Sequence, residues 1–327
     1  MKLSIIIPVY NVEQYVLECL DSIYKQKIDM NEFEVLCIDD RGTDKSIDKI
    51  NNYIASQDIS NCRVIKRNKN GGLSAARNEG INAAKGDYIM LLDSDDMLEE
   101  ESLQSILNYL DGDVEILECS IMDKIETDLP ILACNTNISN FEVSTGDEFY
   151  AKKQELKEYM PMSCIRIYKT KFIKETELFT IGIFFEDEEF TPRILMNAKK
   201  CISRNIPFYI YRRRDNSITT NIQKSNKWID DYIFIAKRQL TLAETYSNSK
   251  SYNYLIDSAS NLITSLLKNV IFYNLSDECL DIIVNKIRNE KLYLITKKSK
   301  SLDIRIQGLL LKHPRMFIQL YKILKRR

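Results

Sequence analysis

Two acidic clusters stand out by residue type and spacing: Asp39-Asp40 and Asp93-Ser94-Asp95-Asp96. Each follows an apolar, β-branched run, Phe33–Asp39 and Tyr88–Leu92, that reads as a strand. In open parallel sheets ligands bind beyond the carboxyl ends of the strands. Carboxylates gathered there repel one another, and a hard divalent cation shared with phosphate oxygens is the usual way to offset that repulsion. A single acidic pair would read as a turn or a helix cap. Two pairs closing strands of one pattern point to a metal and a phosphate together.

The elements that must position these acids alternate along the first third of the chain. Strands are expected at Leu3–Val9, Phe33–Asp39, Arg63–Lys66 and Tyr88–Leu92, with helices over Glu13–Gln26, Asp44–Ala55 and Leu73–Ala84 between them. That alternation is the signature of βαβ units and a mostly parallel sheet flanked by helices, an α/β class. Between the acidic clusters, Gly71-Gly72 opens a helix rich in small residues that runs to Gly80, where a backbone or nucleobase could come close. There is no Gly-x-Gly-x-x-Gly and no Gly-Lys-Ser/Thr, so dinucleotide-binding and P-loop classes are disfavoured. After Gly112 strands and helices mix up to about Thr220, with a polar loop or excursion at 123–140. From Lys224 onward helical patterns take over. The division read from this is 1–222, in halves 1–112 and 113–222, followed by a helical region over 223–327.

Composition excludes several classes. With 44% hydrophobic and 28% charged residues the chain is of ordinary globular type. Its eight cysteines are scattered singly, without zinc or dithiol spacing, which reads as a reduced, cytoplasmic protein. No segment approaches a membrane span, and Leu3–Val9 is too short for a signal sequence. Net charge is −1 but uneven. Residues 291–327 hold 11 Lys and Arg against Asp303 alone, a net +10, which leaves −11 on the acidic body before them. The last segment starts at His313-Pro314 and puts Phe317, Leu320, Tyr321 and Leu324 on one helical face. A basic amphipathic tail of this kind suits an anionic membrane surface, and packing on its own body is the alternative. Nucleic acid is not expected as a partner, and the long C-terminal helices could form a homodimer surface.

Four motifs in order resemble family 2 glycosyltransferases with the GT-A fold: Ser4 to Asn11 (Ser-Ile-Ile-Ile-Pro-Val-Tyr-Asn), Ile38-Asp39-Asp40 with Thr43-Asp44, Gly72 to Gly80 with Arg77-Asn78, and Gly86-Asp87-Tyr88 leading into Asp93-Ser94-Asp95-Asp96. The likeness is dense over the first hundred residues and sparser to about residue 220. It implies an inverting transferase moving a sugar from a nucleoside-diphosphate sugar, UDP by preference, to a hydroxyl of a glycan or lipid-linked glycan. The first half would bind the donor. Pro8, Val9, Tyr10 and the Asp39-Asp40 pair would lie at the base and ribose, with Arg77 as a further base or ribose contact. Asp93 would hold ribose or donor sugar, and Asp95 an Mn²⁺ or Mg²⁺ on the diphosphate. Arg41 departs from the family, which usually has a small residue there, most often glycine.

The resemblance also places the catalytic base. Phe184-Phe185-Glu186-Asp187-Glu188-Glu189-Phe190 is similar to the family's Glu-Asp-x-x-Phe motif, which assigns that role to Asp187. Residue types agree, because the one histidine, His313, lies far in sequence from every motif. Tyr209 to Thr219 resembles a segment near the diphosphate, where arginine binds phosphate oxygens as a fork. Arg214 and Ser217 are the residues expected there, with Arg212 or Arg213 readable as a solvated strand edge. Family membership would also agree with work at the inner membrane face. A haloacid-dehalogenase phosphatase is disfavoured because its Asp-x-Asp normally ends the first strand. The non-enzymatic alternative is an inactive carbohydrate-binding or scaffold subunit of the same fold.

Overall fold

The computed structural model describes residues 1–125, 137–213 and 226–325, with side chains as far as residue 320. They form two compact units, one from the described residues of Met1–Gly182 and Ile194–Asp215, the other from those of Ile183–Arg193 and Asn216–Arg327.

The first unit is built on strands β1 (Leu3–Val9), β2 (Phe33–Asp39), β3 (Cys62–Lys66), β4 (Tyr88–Leu91), β5 (Met97–Leu98), β6 (Ile116–Ile125), β7 (Phe141–Val143), β8 (Arg166–Lys169) and β9 (Cys201–Arg213). Its helices are α1 (Val16–Tyr24), α2 (Ser46–Ser56), α3 (Leu73–Ala83), α4 (Ser102–Leu107), α5 (Gly146–Glu155) and α6 (Thr170–Lys174). The strands make one sheet in the order β3-β2-β1-β4-β8-β6-β9-β5, with β7 paired to β9. Its first half, β3-β2-β1-β4, is parallel throughout. The second half is mixed: β8 runs antiparallel to both β4 and β6, while β6 and β9 are parallel.

Strand β1 is apolar at nearly every position because both of its faces are covered. Ile5, Ile7 and Val9 join a core with Val16, Leu20 and Ile23 of α1. On the opposite face Ile6 meets Gly80 of α3, where a Cβ would overlap the Ile6 side chain. Gly80 is therefore a packing requirement, and it sets how closely α3 lies on the sheet.

The mixed half also buries charge. Glu118 of β6 is enclosed with Lys153 of α5, 2.8 Å away, and with Arg166 of β8. Arg166 donates onward to the carbonyls of Met162 and Met160, at 2.7 and 2.8 Å, and so fixes the segment before β8. Of the polar loop or excursion expected at 123–140, residues 123–125 instead close β6, which continues to Ile125, with Asp123 paired to Arg213 of β9 at 2.8 Å; residues 126–136 lie outside the described residues.

Helix α7 (Glu186–Asn197) starts in the second unit and ends in the first. The second unit continues with α8 (Lys227–Thr245), α9 (Tyr252–Phe272), α10 (Asp277–Asn289), α11 (Tyr293–Thr296), α12 (Leu302–Leu310) and α13 (Pro314–Lys325). Trp228, Ile229, Ile263, Leu266, Ile283 and Ile287 form its core. The sequence boundary at 222/223 left residues 183–193 with the sheet. Here Phe184 and Phe185 pack against the helical core, and the Phe184 amide donates to Asp231 at 2.9 Å. Of the expected amphipathic face of the tail, Phe317 is packed in the core of its own unit and Leu320 is exposed; Ile318 beside it is buried as well. Among the described residues no helix is long and apolar enough to cross a membrane.

Gly80→Ala should destabilise the protein by about 1–3 kcal/mol through overpacking against Ile6, despite alanine's better helix propensity. Chemical denaturation reads this directly; an unchanged or higher midpoint would contradict the packing account.

Candidate active site

The strand order reverses direction at β1. From it the chain builds outward through β2 to β3, then returns to place β4 on the other side. Such a switch point opens a crevice at the carboxyl ends of the strands, the standard ligand position in open α/β sheets. Because β2, β1 and β4 are parallel, Asp39-Asp40, Val9-Tyr10 and Asp93 to Asp96 all follow the same sheet edge. Pro8 and Val9 are buried in β1, while Tyr10 just beyond it is half exposed and available to a flat ligand.

Much of the acidity at this edge is used inside the protein. Asp39 is buried and accepts the Arg41 amide at 2.8 Å. Asp40 is buried and accepts the Gly71 and Gly72 amides at 3.0 and 2.8 Å, with Arg67 paired to the same carboxylate. It therefore ties the end of β2 to the entry of α3, where Gly72 takes φ +82°. Arg41 has φ +65°, the left-handed region that glycine enters without steric cost. That is a physical reason for a glycine at this position, and Arg41 adopts the conformation at some strain.

Arg77 is buried in α3, and its guanidinium donates to both oxygens of Asp93, at 2.9 and 3.2 Å, while lying over the Phe179 ring. The sequence reading gave Arg77 to base or ribose. In this geometry it orients Asp93, which stays partly exposed at the edge. Asp96 faces the interior, accepting the Tyr209 hydroxyl at 2.6 Å and the Arg212 amide at 2.8 Å. Burial, then repulsion from Asp95 and Asp93, pushes its carboxyl well above the usual range. Asp95, between the two, is partly exposed, and its carbonyl accepts Arg212 Nε at 2.9 Å.

Sequence reasoning missed Arg67, and it named Tyr209 and Arg212 only within a segment near the diphosphate, without their interior contacts. Arg212 is no solvated edge: it is buried, stacked on Tyr15 and paired with Glu18 at 2.6 Å, and that contact holds the Glu18 carboxyl below its ordinary range. Strand alternation would have separated Arg212 from Arg213, but the sequence alone does not say which of them faces inward. Arg214 and Ser217 lie outside the described residues.

Asp187 belongs to the second unit, in the first turn of α7, and is partly exposed. The turn before it is held by Phe185 at φ +59°, with its ring edge-on to Tyr232 at 4.7 Å. Glu189 is buried and accepts Arg193 Nε and Nη2, both at 2.9 Å, and Arg238 at 3.2 Å. Burial first, and repulsion from Asp187 second, push Glu188 up to about 7.

Among the described residues no three His, Cys, Asp or Glu side chains are placed to hold a metal by themselves. The donor set nevertheless fits one kind of site. A hard cation bound by one or two carboxylates and completed by substrate phosphates needs no protein cage. Asp95 has the right oxygen chemistry and position for it, while Asp40 and Asp96 are spent on interior donors.

The raised Glu188 pKa carries a sign. A carboxyl that binds its proton more tightly folded than unfolded contributes stability below its ordinary value of 4.5, and that contribution is lost as pH rises through about 7. Glu188→Gln should therefore stabilise the protein at pH 8 by about 1–3 kcal/mol and change little near pH 4.5. Thermal melts across this range check it; a gain confined to acid pH would contradict it.

The glycosyl transferase family 2 profile matches residues 4–177. The poly(ribitol-phosphate) beta-glucosyltransferase of Bacillus spizizenii is 32% identical over 219 residues, covering 66% of this chain and 33% of that protein. The chain thus spans about a third of that enzyme's length. Glycosyltransferase GlyG of Streptococcus pneumoniae is 26% identical over 255 residues, covering 73% of this chain and 79% of its own. Among solved structures, S. aureus TarS 1–349 in complex with UDP-GlcNAc aligns with a TM-score of 0.70 at 21% identity, over 98% of this chain and 92% of that one. The structural likeness is one of fold, GT-A with a helical C-terminal region. Since the family profile covers more than half of the sequence, from the first strand past α6, this chain belongs to glycosyl transferase family 2.

Proposed function

We propose that the protein transfers one sugar, with inversion, from a nucleoside-diphosphate sugar to an acceptor hydroxyl in the synthesis of a cell-surface polysaccharide. The observation that carries this reading is the convergence of Val9-Tyr10, Asp39-Asp40 and Asp93 to Asp96 at one switch-point edge. A UDP-sugar is the favoured donor, in keeping with the UDP-GlcNAc bound by the structurally similar TarS fragment. A glycan or polyol-phosphate polymer is the favoured acceptor, in keeping with the names of the relatives. The expected site of action is the cytoplasm.

In this reading Tyr10 offers its half-exposed ring to the base, and Asp93, held by Arg77, accepts hydrogen bonds from donor hydroxyls. Asp95 would hold Mn²⁺ or Mg²⁺, which when bound offsets the charge that develops on the leaving diphosphate. Arg214 and Ser217 are assigned to the diphosphate on the family motif. Asp187 takes the proton of the acceptor hydroxyl as its oxygen bonds to the anomeric carbon and the nucleoside diphosphate departs from the opposite face. A carboxylate suits that role, since the only histidine lies at position 313.

Donor turnover with and without acceptor tests the assignment. Asp95→Ala should lose about 10²–10³-fold in kcat, the cost typical of removing one contact to developing charge. Asp187→Asn should lose a comparable factor while still binding the donor nucleotide. Near-wild-type transfer by either variant would contradict the role given to that residue.

A further inference from the structure

Along α11 to α13 the second unit presents an apolar stripe and positive charge to solvent together. Helix α12 turns its slimmer side inward: Ile304 is buried, as is Leu311 just past its end, and Gly308 lies against Thr296 with no room for a Cβ. Its bulkier residues face out. Leu302, Ile306 and Leu309 are 63%, 47% and 57% exposed and fall at i, i+4 and i+7, on one helical face. Leu294 of α11 is also exposed. Lone exposed leucines are ordinary, but a continuous stripe on a helix whose other side is already in a core marks an interaction surface.

The charge around the stripe is of one sign. Lys291, Lys297, Lys300 and Arg305 are exposed and have no ion-pair partner among the described residues. Lys298 is paired with Glu244, and Lys312 lies over the Tyr293 ring. From residue 291 to 320 the one acid is Asp303. The sequence pattern pointed to the last helix as the amphipathic element. In the structure Phe317 of that helix's expected face is buried and Leu320 is exposed, the side chains of Tyr321 and Leu324 lie outside the described residues, and among the described residues the most exposed apolar stripe belongs to α12.

We propose that this face docks on an anionic lipid bilayer, with Leu302, Ile306 and Leu309 entering the acyl boundary and Lys297, Lys300 and Arg305 reaching headgroup phosphates. Aliphatic residues bordered by unpaired cations match a surface that is apolar within and anionic at its rim. Long basic side chains can lie along such a boundary with their charged ends in water. A second copy would bring the same positive charge against itself across a twofold contact. Nucleic acid would meet the charge but leave the aliphatic stripe unmatched.

The test is co-sedimentation of the full chain with phosphatidylglycerol-containing vesicles and with pure phosphatidylcholine vesicles, at low and high salt. The wild type should pellet with the anionic vesicles alone, less at high salt. Leu302→Ser/Leu309→Ser and Lys297→Glu/Lys300→Glu should each lower the partition coefficient tenfold or more, with unchanged thermal melts because all four residues are exposed. No phosphatidylglycerol-dependent pelleting of the folded wild type would overturn the proposal. So would a leucine variant that pellets like the wild type, since the charge would then be serving some other anionic partner.

Discussion

Asp96 has almost no access to water, and what holds it is a strand more than a hundred residues further along the chain: the Tyr209 hydroxyl at 2.6 Å and the Arg212 amide at 2.8 Å. An unsatisfied carboxylate in that position would be costly, so β9 has to arrive in register for the end of β4 to close. Arg212 then reaches from the same strand to the carbonyl of Asp95 and to Glu18 of α1. The interior acid thus fixes the backbone on which Asp93 and Asp95 stand. Asp40 does the same at the neighbouring strand end, drawing the Gly71 and Gly72 amides and Arg67 onto one carboxylate.

The acids at these strand ends therefore divide by burial. Asp39, Asp40 and Asp96 are buried and bonded within the protein, while Asp93 and Asp95 keep partial exposure at the crevice. On the proposed reading, a cation held by one protein carboxylate takes its remaining ligands from donor phosphates and water. Metal and nucleotide would then bind as a coupled pair.

The parallel half of the sheet was legible because its physics is local. Apolar runs buried on both faces, ended by acids and separated by amphipathic helices, have few other readings, and β1 to β4 came within a residue of their observed ends. The mixed half was not legible, since its pairings join strands distant in sequence and its charged residues are internal. Glu118, Lys153 and Arg166 look like surface residues by type, yet they are enclosed together. Arg77 and Asp93 were each visible as parts of motifs, but their pairing was not, because an α3 side chain finds the β4 end only once the helix has docked on the sheet through Gly80. The acidic run at 186–189 opens α7. That its first turns pack with the helical unit depends on Phe184 and Phe185 finding the Trp228 core.

The proposed function requires a nucleoside-diphosphate site at the β1–β4 switch point that depends on a cation at Asp95. Isothermal titration with UDP, GDP and dTDP, each with Mn²⁺ and with EDTA, tests it most directly. UDP should bind in the presence of Mn²⁺, EDTA should abolish or strongly weaken that binding, and Asp95→Ala should reproduce the effect of EDTA. Folded protein that binds none of the three nucleotides with Mn²⁺, or binds UDP equally well in EDTA, would contradict it.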